Sequence, residues 1–139
     1  MLNVAVSDIM NDHPIKIKAD VSMRNVAHLL LRYRINGILV VSADEGGALI
    51  GVFTTTDFLN LMNVAVSGLP QKMAALDMLA DQPVGKFVNS HFLRLEHTDP
   101  ADKAIGLMLQ HNVPTIPVYA GDKLVGVIGR HDIINIAFA

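Results

Sequence analysis

Gly51-Val52-Phe53-Thr54-Thr55-Thr56-Asp57-Phe58-Leu59 is the stretch on which the fold of this chain turns. Apolar residues after a glycine read as the end of a buried strand, and the threonines place hydroxyls where that strand stops. Asp57 falls in the first turn of the helix that follows. A helix start offers unpaired N–H groups and a positive dipole end, which suits phosphate. A carboxylate beside it accepts hydrogen bonds from paired hydroxyls such as those of a ribose. The composition therefore reads as a nucleoside-phosphate cradle. The same frame returns at Gly126-Val127-Ile128-Gly129-Arg130-His131-Asp132-Ile133-Ile134.

What surrounds the frame is also repeated. Val6–Val41 and Val84–Tyr119 align without a gap at an offset of 78 (84 minus 6). Val6-Ser7-Asp8-Ile9-Met10-Asn11 stands opposite Val84-Gly85-Lys86-Phe87-Val88-Asn89, and Ile15-Lys16-Ile17 opposite Leu93-Arg94-Leu95, each of the latter pair alternating as a half-buried strand does. Met23, Val26, Ala27, Leu30 and Leu31 face Ala101, Ala104, Ile105, Met108 and Leu109 at helical spacing, so each copy carries an amphipathic helix. Ile38–Val41 and Ile116–Tyr119 follow as buried strands. Beyond them the offset falls to 75 (126 minus 51), because the first copy has the longer Gly- and Asp-rich turn at 43–47. Each copy predicts strand, helix, strand, turn, strand, helix. Asp99-Pro100-Ala101 predicts a helix start with Asp as the cap and Pro at the first helical position, sharper than its counterpart near Asp20 and Ser22. One further helix is expected between Pro70 and Pro83.

The fold class expected is α+β: two pseudo-symmetric repeats, residues 1–69 and 70–139, each a small three-stranded sheet with two helices, packed sheet to sheet as one intertwined module. A single copy is too small to bury both faces of its sheet alone.

Composition narrows the function. The chain has 139 residues, 51% hydrophobic, with 11 basic against 13 acidic residues and a net charge of −2. That balance gives no general attraction to nucleic acid or anionic membrane. Cysteine is absent, which removes disulfides, thiolate metal sites and cysteine nucleophiles. Met1–Met10 lacks the build of a signal peptide, and the uncharged stretch 58–71 is too short and polar to span a bilayer, so a cytoplasmic protein is expected. The six histidines have no metal-ligand spacing, and no nucleophile elbow or Walker-type phosphate loop occurs. No metal, no cofactor and no enzyme activity are expected.

The chain resembles a tandem pair of cystathionine-β-synthase (CBS) domains, a Bateman module. Val-Ser-Asp-Ile-Met at 6–10, the helix with its paired strands, and Gly-Val-Phe-Thr-Thr-Thr-Asp at 51–57 carry the likeness, which covers essentially the whole chain. The resemblance implies a regulatory sensor of adenosine-type ligands (AMP, ADP, ATP or S-adenosylmethionine) bound in clefts between the repeats. It gives Asp57 the ribose hydroxyls and Thr54 a place near ribose or phosphate. Asp132 matches in the second copy, where Gly129 departs from the pattern by lacking the hydroxyl and Arg130 and His131 offer phosphate contacts. Pro14, Ile15 and Ile38 match the adenine-contacting positions of the first copy, and Phe92, Leu93 and Pro114 those of the second. The same residues also have a plain structural reading: Asp57 and Asp132 as helix-start acids, Thr54 as a cap, the apolar ones as core. The resemblance further implies a homodimer paired through helices, with Leu59, Leu61, Met62 and Val64 and the apolar end Ile133–Ala139 as its face, and a regulated partner protein. The alternative is a ligand-free dimerisation and interaction scaffold.

Overall fold

The computed structural model describes residues 3–67 and 71–138; Pro70, Ala139 and the first two residues, named above, lie outside them. The first copy forms β1 (Lys16–Lys18), preceded by the one-turn helix α1 (Val6–Ile9), then α2 (Met23–Tyr33), β2 (Gly37–Val41), β3 (Leu49–Thr54) and α3 (Thr55–Val66). The linking helix α4 (Lys72–Ala80) and a 3₁₀ turn (Val84–Phe87) lead to β4 (Leu95–Glu96), α5 (Ala101–His111), β5 (Thr115–Ala120), β6 (Lys123–Gly129) and α6 (Arg130–Phe138). The predicted element order and α+β class are those observed. Each sheet has three strands, β1-β2-β3 and β4-β5-β6, the first pair parallel and the second antiparallel in both.

The chain divides into two compact units that do not follow the order of the repeats. One comprises Met1–Ile15 with His91–Ala139, the other Lys16–Ser90. Each unit thus takes its leading segment from the other copy, and the hydrogen bonds that dock the leaders match pair for pair at the offset of 78. Val6 N–H donates to Asp99 O at 2.8 Å, as Val84 N–H does to Val21 O at 2.8 Å. Ser7 reaches His97 O at 3.0 Å, as Gly85 reaches Ala19 O at 2.8 Å. Ala101 N–H donates to Val4 O, as Met23 N–H does to Gln82 O. Each leader also inserts one fully buried valine: Val6 joins Leu95, Ala104, Ile116, Val118 and Ile128 in one core, and Val84 is equally buried in the other unit.

This docking explains two glycines of the repeated frame. A Cβ at Gly51 would lie 2.7 Å from Asn89 O, and one at Gly126 would lie 2.7 Å from Asn11 O. Asn11 and Asn89 are themselves repeat partners. The leader backbone crosses the last strand where only glycine leaves room.

Three local expectations are corrected. Helix α5 is capped at Pro100 and starts at Ala101, because the Asp99 carboxylate turns back to accept the Glu96 N–H at 2.9 Å and pairs with Lys103 at 3.2 Å. Its counterpart is the sharper start, with Ser22 Oγ accepting the Asn25 N–H at 3.2 Å. The opening strands sit one residue later or are shorter than predicted: Lys16–Lys18, and Leu95–Glu96 alone in the second copy. Leu31 and Leu109, assigned to the core face, are 76% and 79% exposed, so the apolar stripe of α2 and of α5 is wider than the sheet beneath it can cover.

Replacing Gly126 by alanine forces a methyl against the Asn11 carbonyl and should lower stability by about 1–3 kcal/mol. Gly106, within α5 and with open space at its Cβ, should instead gain about 0.5–1 kcal/mol as alanine. Urea unfolding checks both: the midpoint should fall for Gly126→Ala and rise for Gly106→Ala.

Candidate functional site

The strand-to-helix turn at 54–57 is built by a reciprocal cap. Thr54 ends β3 with extended backbone and is the N-cap of α3; its Oγ1 accepts the Asp57 N–H at 3.1 Å, and Asp57 Oδ2 accepts the Thr54 N–H at 2.9 Å. Two orphan donors of the helix start are satisfied at once. The Thr55 N–H is taken by Asn36 O at 2.9 Å, which ties the turn to the entry of β2. Thr54 is 7% exposed, Asp57 and Thr55 are half-buried, and Thr56 faces solvent. Among the described residues Asp57 Oδ1 takes no hydrogen bond, so a carboxylate fixed through one oxygen presents the other at the end of the sheet. That arrangement can accept hydroxyl donors without moving.

The second turn keeps half of this device. Asp132 Oδ2 accepts the Gly129 N–H at 2.7 Å and Pro114 O accepts the Arg130 N–H at 3.1 Å, but Gly129 has no hydroxyl to return. A Cβ there would meet nothing closer than Asp132 Oδ2 at 3.6 Å and Pro114 O at 3.7 Å, so glycine is not required by space. Arg130 is exposed and lines an apolar groove between α5 and α6 with Asn112, Ile105, Leu109, Ile133 and Ile134. His131 faces solvent beside it.

The remaining sequence-selected residues divide. Phe92, Leu93 and Pro114 share a unit with Asp132; Phe92 and Leu93 are half-buried in irregular backbone before β4, Leu93 packs on the core, and Pro114 is buried. Ile38 shares a unit with Thr54 and Asp57 but is only 1% exposed, a core side chain opposite Phe53 in the ladder. Pro14 and Ile15, half-buried ahead of β1, belong to the other compact unit. The carbonyls of Asn36 and Pro114 anchor the two turns; Asn36 was not among the residues selected from the sequence, and its signal was that it is the repeat partner of Pro114. Among the described residues no three His, Asp or Glu side chains gather in a way that could hold a metal ion, and no helix is long and apolar enough to cross a membrane.

The family model for the CBS domain matches residues 6–64 and 84–138. Among solved structures, the chain is similar to the CBS-domain-containing protein ATU1752 from Agrobacterium tumefaciens, with a TM-score of 0.80 at 23% identity over 99% of this chain and 96% of that one. It is similar to the CBS domain pair of protein MJ0100, solved with 5′-methylthioadenosine and S-adenosyl-L-methionine (TM-score 0.71, 22% identity, 96% of this chain, 95% of that one). It is also similar to CBSX2, solved with AMP (TM-score 0.72, 22% identity, 97% of this chain, 96% of that one). At these identities the likeness is one of fold. The first curated relatives, 22% to 29% identical, are longer proteins, of which the chain spans 13% to 32%.

Thr54→Ala removes the accepting half of the cap and should cost about 0.5–2 kcal/mol, whereas Gly129→Thr completes the cap of α6 and should gain a few tenths. Thermal melts of the two variants, one falling and one holding or rising, check the pair.

Proposed function

The chain belongs to the CBS-domain family, and on that premise we propose that it is a regulatory module sensing an adenosine-type ligand at the turn carrying Thr54 and Asp57. The observation that carries this reading is the half-committed Asp57 carboxylate, held by the Thr54 N–H through Oδ2 with Oδ1 open. Ribose hydroxyls donate to Oδ1, and the Thr54 hydroxyl, which accepts the Asp57 N–H, still has its own hydrogen to give.

The second turn is the weaker site in this proposal. Asp132 repeats the acceptor, Gly129 lacks the hydroxyl, and Arg130 or His131 meets phosphate when the ligand has one, with Phe92, Leu93 and Pro114 on the base side. AMP and S-adenosylmethionine lead the ligand classes because CBS proteins of this fold were solved with them; ADP and ATP follow from the same ribose contact. The role is sensing without turnover, in a cytoplasmic protein that acts on a partner, with no resident cofactor. Exposed Leu59 and Val64 on α3 favour assembly as a homodimer through helical faces.

Calorimetry with AMP and S-adenosylmethionine tests the ligand. Asp57→Asn keeps an acceptor for the Thr54 N–H while removing the charge, and should weaken binding by about tenfold to a hundredfold, the worth of one charge-assisted hydrogen bond. Asp132→Asn should affect only a weaker second event. Wild-type binding in Asp57→Asn, or its abolition in Asp132→Asn alone, would place the principal site in the other copy. Binding by neither ligand nor by ADP or ATP leaves the scaffold reading.

Light scattering tests assembly separately: a mass of two chains at micromolar concentration is expected, falling to one chain in Leu59→Glu with Val64→Glu.

A further inference from the structure

Helix α4 packs along α2 and α3, and a solvent-open chamber of about 350 Å³ lies between the three helices. Met23 and Ala27 of α2 and Phe58 and Met62 of α3 form its floor, and Leu76 and Leu79 of α4 its roof. This volume is at the lower end of small-molecule sites, which are mostly apolar with a few placed polar groups. The polar side chains at this rim are Arg24 and His28, both from α2; no carboxylate lines the chamber. Arg24 is weakly committed, holding Asp81 at the C-cap of α4 only at 3.9 Å with both groups largely exposed.

No residue of α4 is buried and Gln71 supplies no side-chain cap. Lys72 at its first turn and Asp81 at its last oppose the helix dipole rather than complement it. The chamber is open to solvent along its rim, so a ligand enters it without displacing α4. The corresponding groove of α5 and α6 is smaller, about 260 Å³, and among the described residues no linking helix lines it.

We propose that the chamber under α4 is a second ligand site, for a small apolar anion of the medium-chain carboxylate class. The chain fills the space between Phe58, Met62 and the leucines of α4, and the carboxylate is met at the rim by Arg24, with His28 beside it. Apolar area gives the affinity and the guanidinium gives the polarity of the ligand. The site is independent of the adenosyl ligand, although Phe58 directly follows Asp57, so both ligands would bear on one helix.

The methionines make the test direct, since each region has its own. With methyl-labelled methionine, decanoate below its micelle-forming concentration should shift the Met23 and Met62 resonances of the nucleotide-free protein. Met108, in the open groove, and Met73 and Met78, 71% and 72% exposed on α4, should stay unmoved or move less. Decanol should bind roughly two- to fivefold more weakly than decanoate, and Arg24→Gln should remove that difference. Shifts confined to Met73 and Met78, or spread equally over all methionines, would mean surface adsorption and overturn the proposal, as would equal binding of decanoate and decanol in the wild type. Ala27→Phe, which fills the chamber, should abolish the Met62 shift; because that variant acts on packing, the wild-type methionine pattern decides if it fails to fold.

Discussion

Neither three-stranded sheet in this protein is closed by its own repeat. Each requires a leader from the other copy, and the rest of the structure is arranged around that requirement. Val6 and Val84 each bring a valine to complete burial, about 1.5–3 kcal/mol apiece. The backbone donors that dock them would cost about 1–3 kcal/mol each if left buried and unpaired. The matching hydrogen bonds, Val6 to Asp99 O and Val84 to Val21 O among them, are alike because one sequence pattern solves one problem twice. Gly51 and Gly126 belong to the same solution: they admit the leader's asparagine carbonyl at the last strand, immediately before the turn where the candidate site lies. Docking and site are therefore neighbours along β3 and β6.

The carboxylates at these turns have a structural task first. Asp8, Asp57, Asp99 and Asp132 each accept a backbone N–H from three residues earlier, at 3.1, 2.9, 2.9 and 2.7 Å. Two of the four lie outside the repeated Gly-apolar-apolar frame, so an aspartate of this geometry does not by itself mark a binding site. What separates Asp57 is the company it keeps: a returning threonine hydroxyl and a half-buried position at the end of a sheet. Asp132 has the position without the hydroxyl. The two turns thus span the range from cap to candidate site.

Much of this was legible in the sequence because it is local or periodic. A gap-free repeat reports element order whatever the tertiary arrangement, and a Thr-x-x-Asp cap needs only four residues to form. An intertwined module was expected, but which segments the copies exchange was not legible. Val6 and Val84 have the same environment whether each docks on its own repeat or on the other, so the alignment is identical in both cases. Leu31 and Leu109 misled for a related reason: helical spacing marks an apolar stripe but not how much of it a narrow sheet covers. Asp99 looked like a cap because Asp-Pro precedes a helix, yet its carboxylate found the Glu96 N–H behind it instead. Of the residues matched to adenine, Ile38 proves to be core, while Pro14 and Ile15 fall in a compact unit different from that of Asp57, a separation that no local pattern encodes.

The central claim is that Asp57 Oδ1 is the ribose acceptor, and a crystal structure of the protein grown with AMP tests it most directly. The account predicts nucleotide density with a ribose hydroxyl within hydrogen-bond distance of Asp57 Oδ1 while Oδ2 stays on the Thr54 N–H. Density for the nucleotide elsewhere, with Asp57 Oδ1 facing only water, would contradict it.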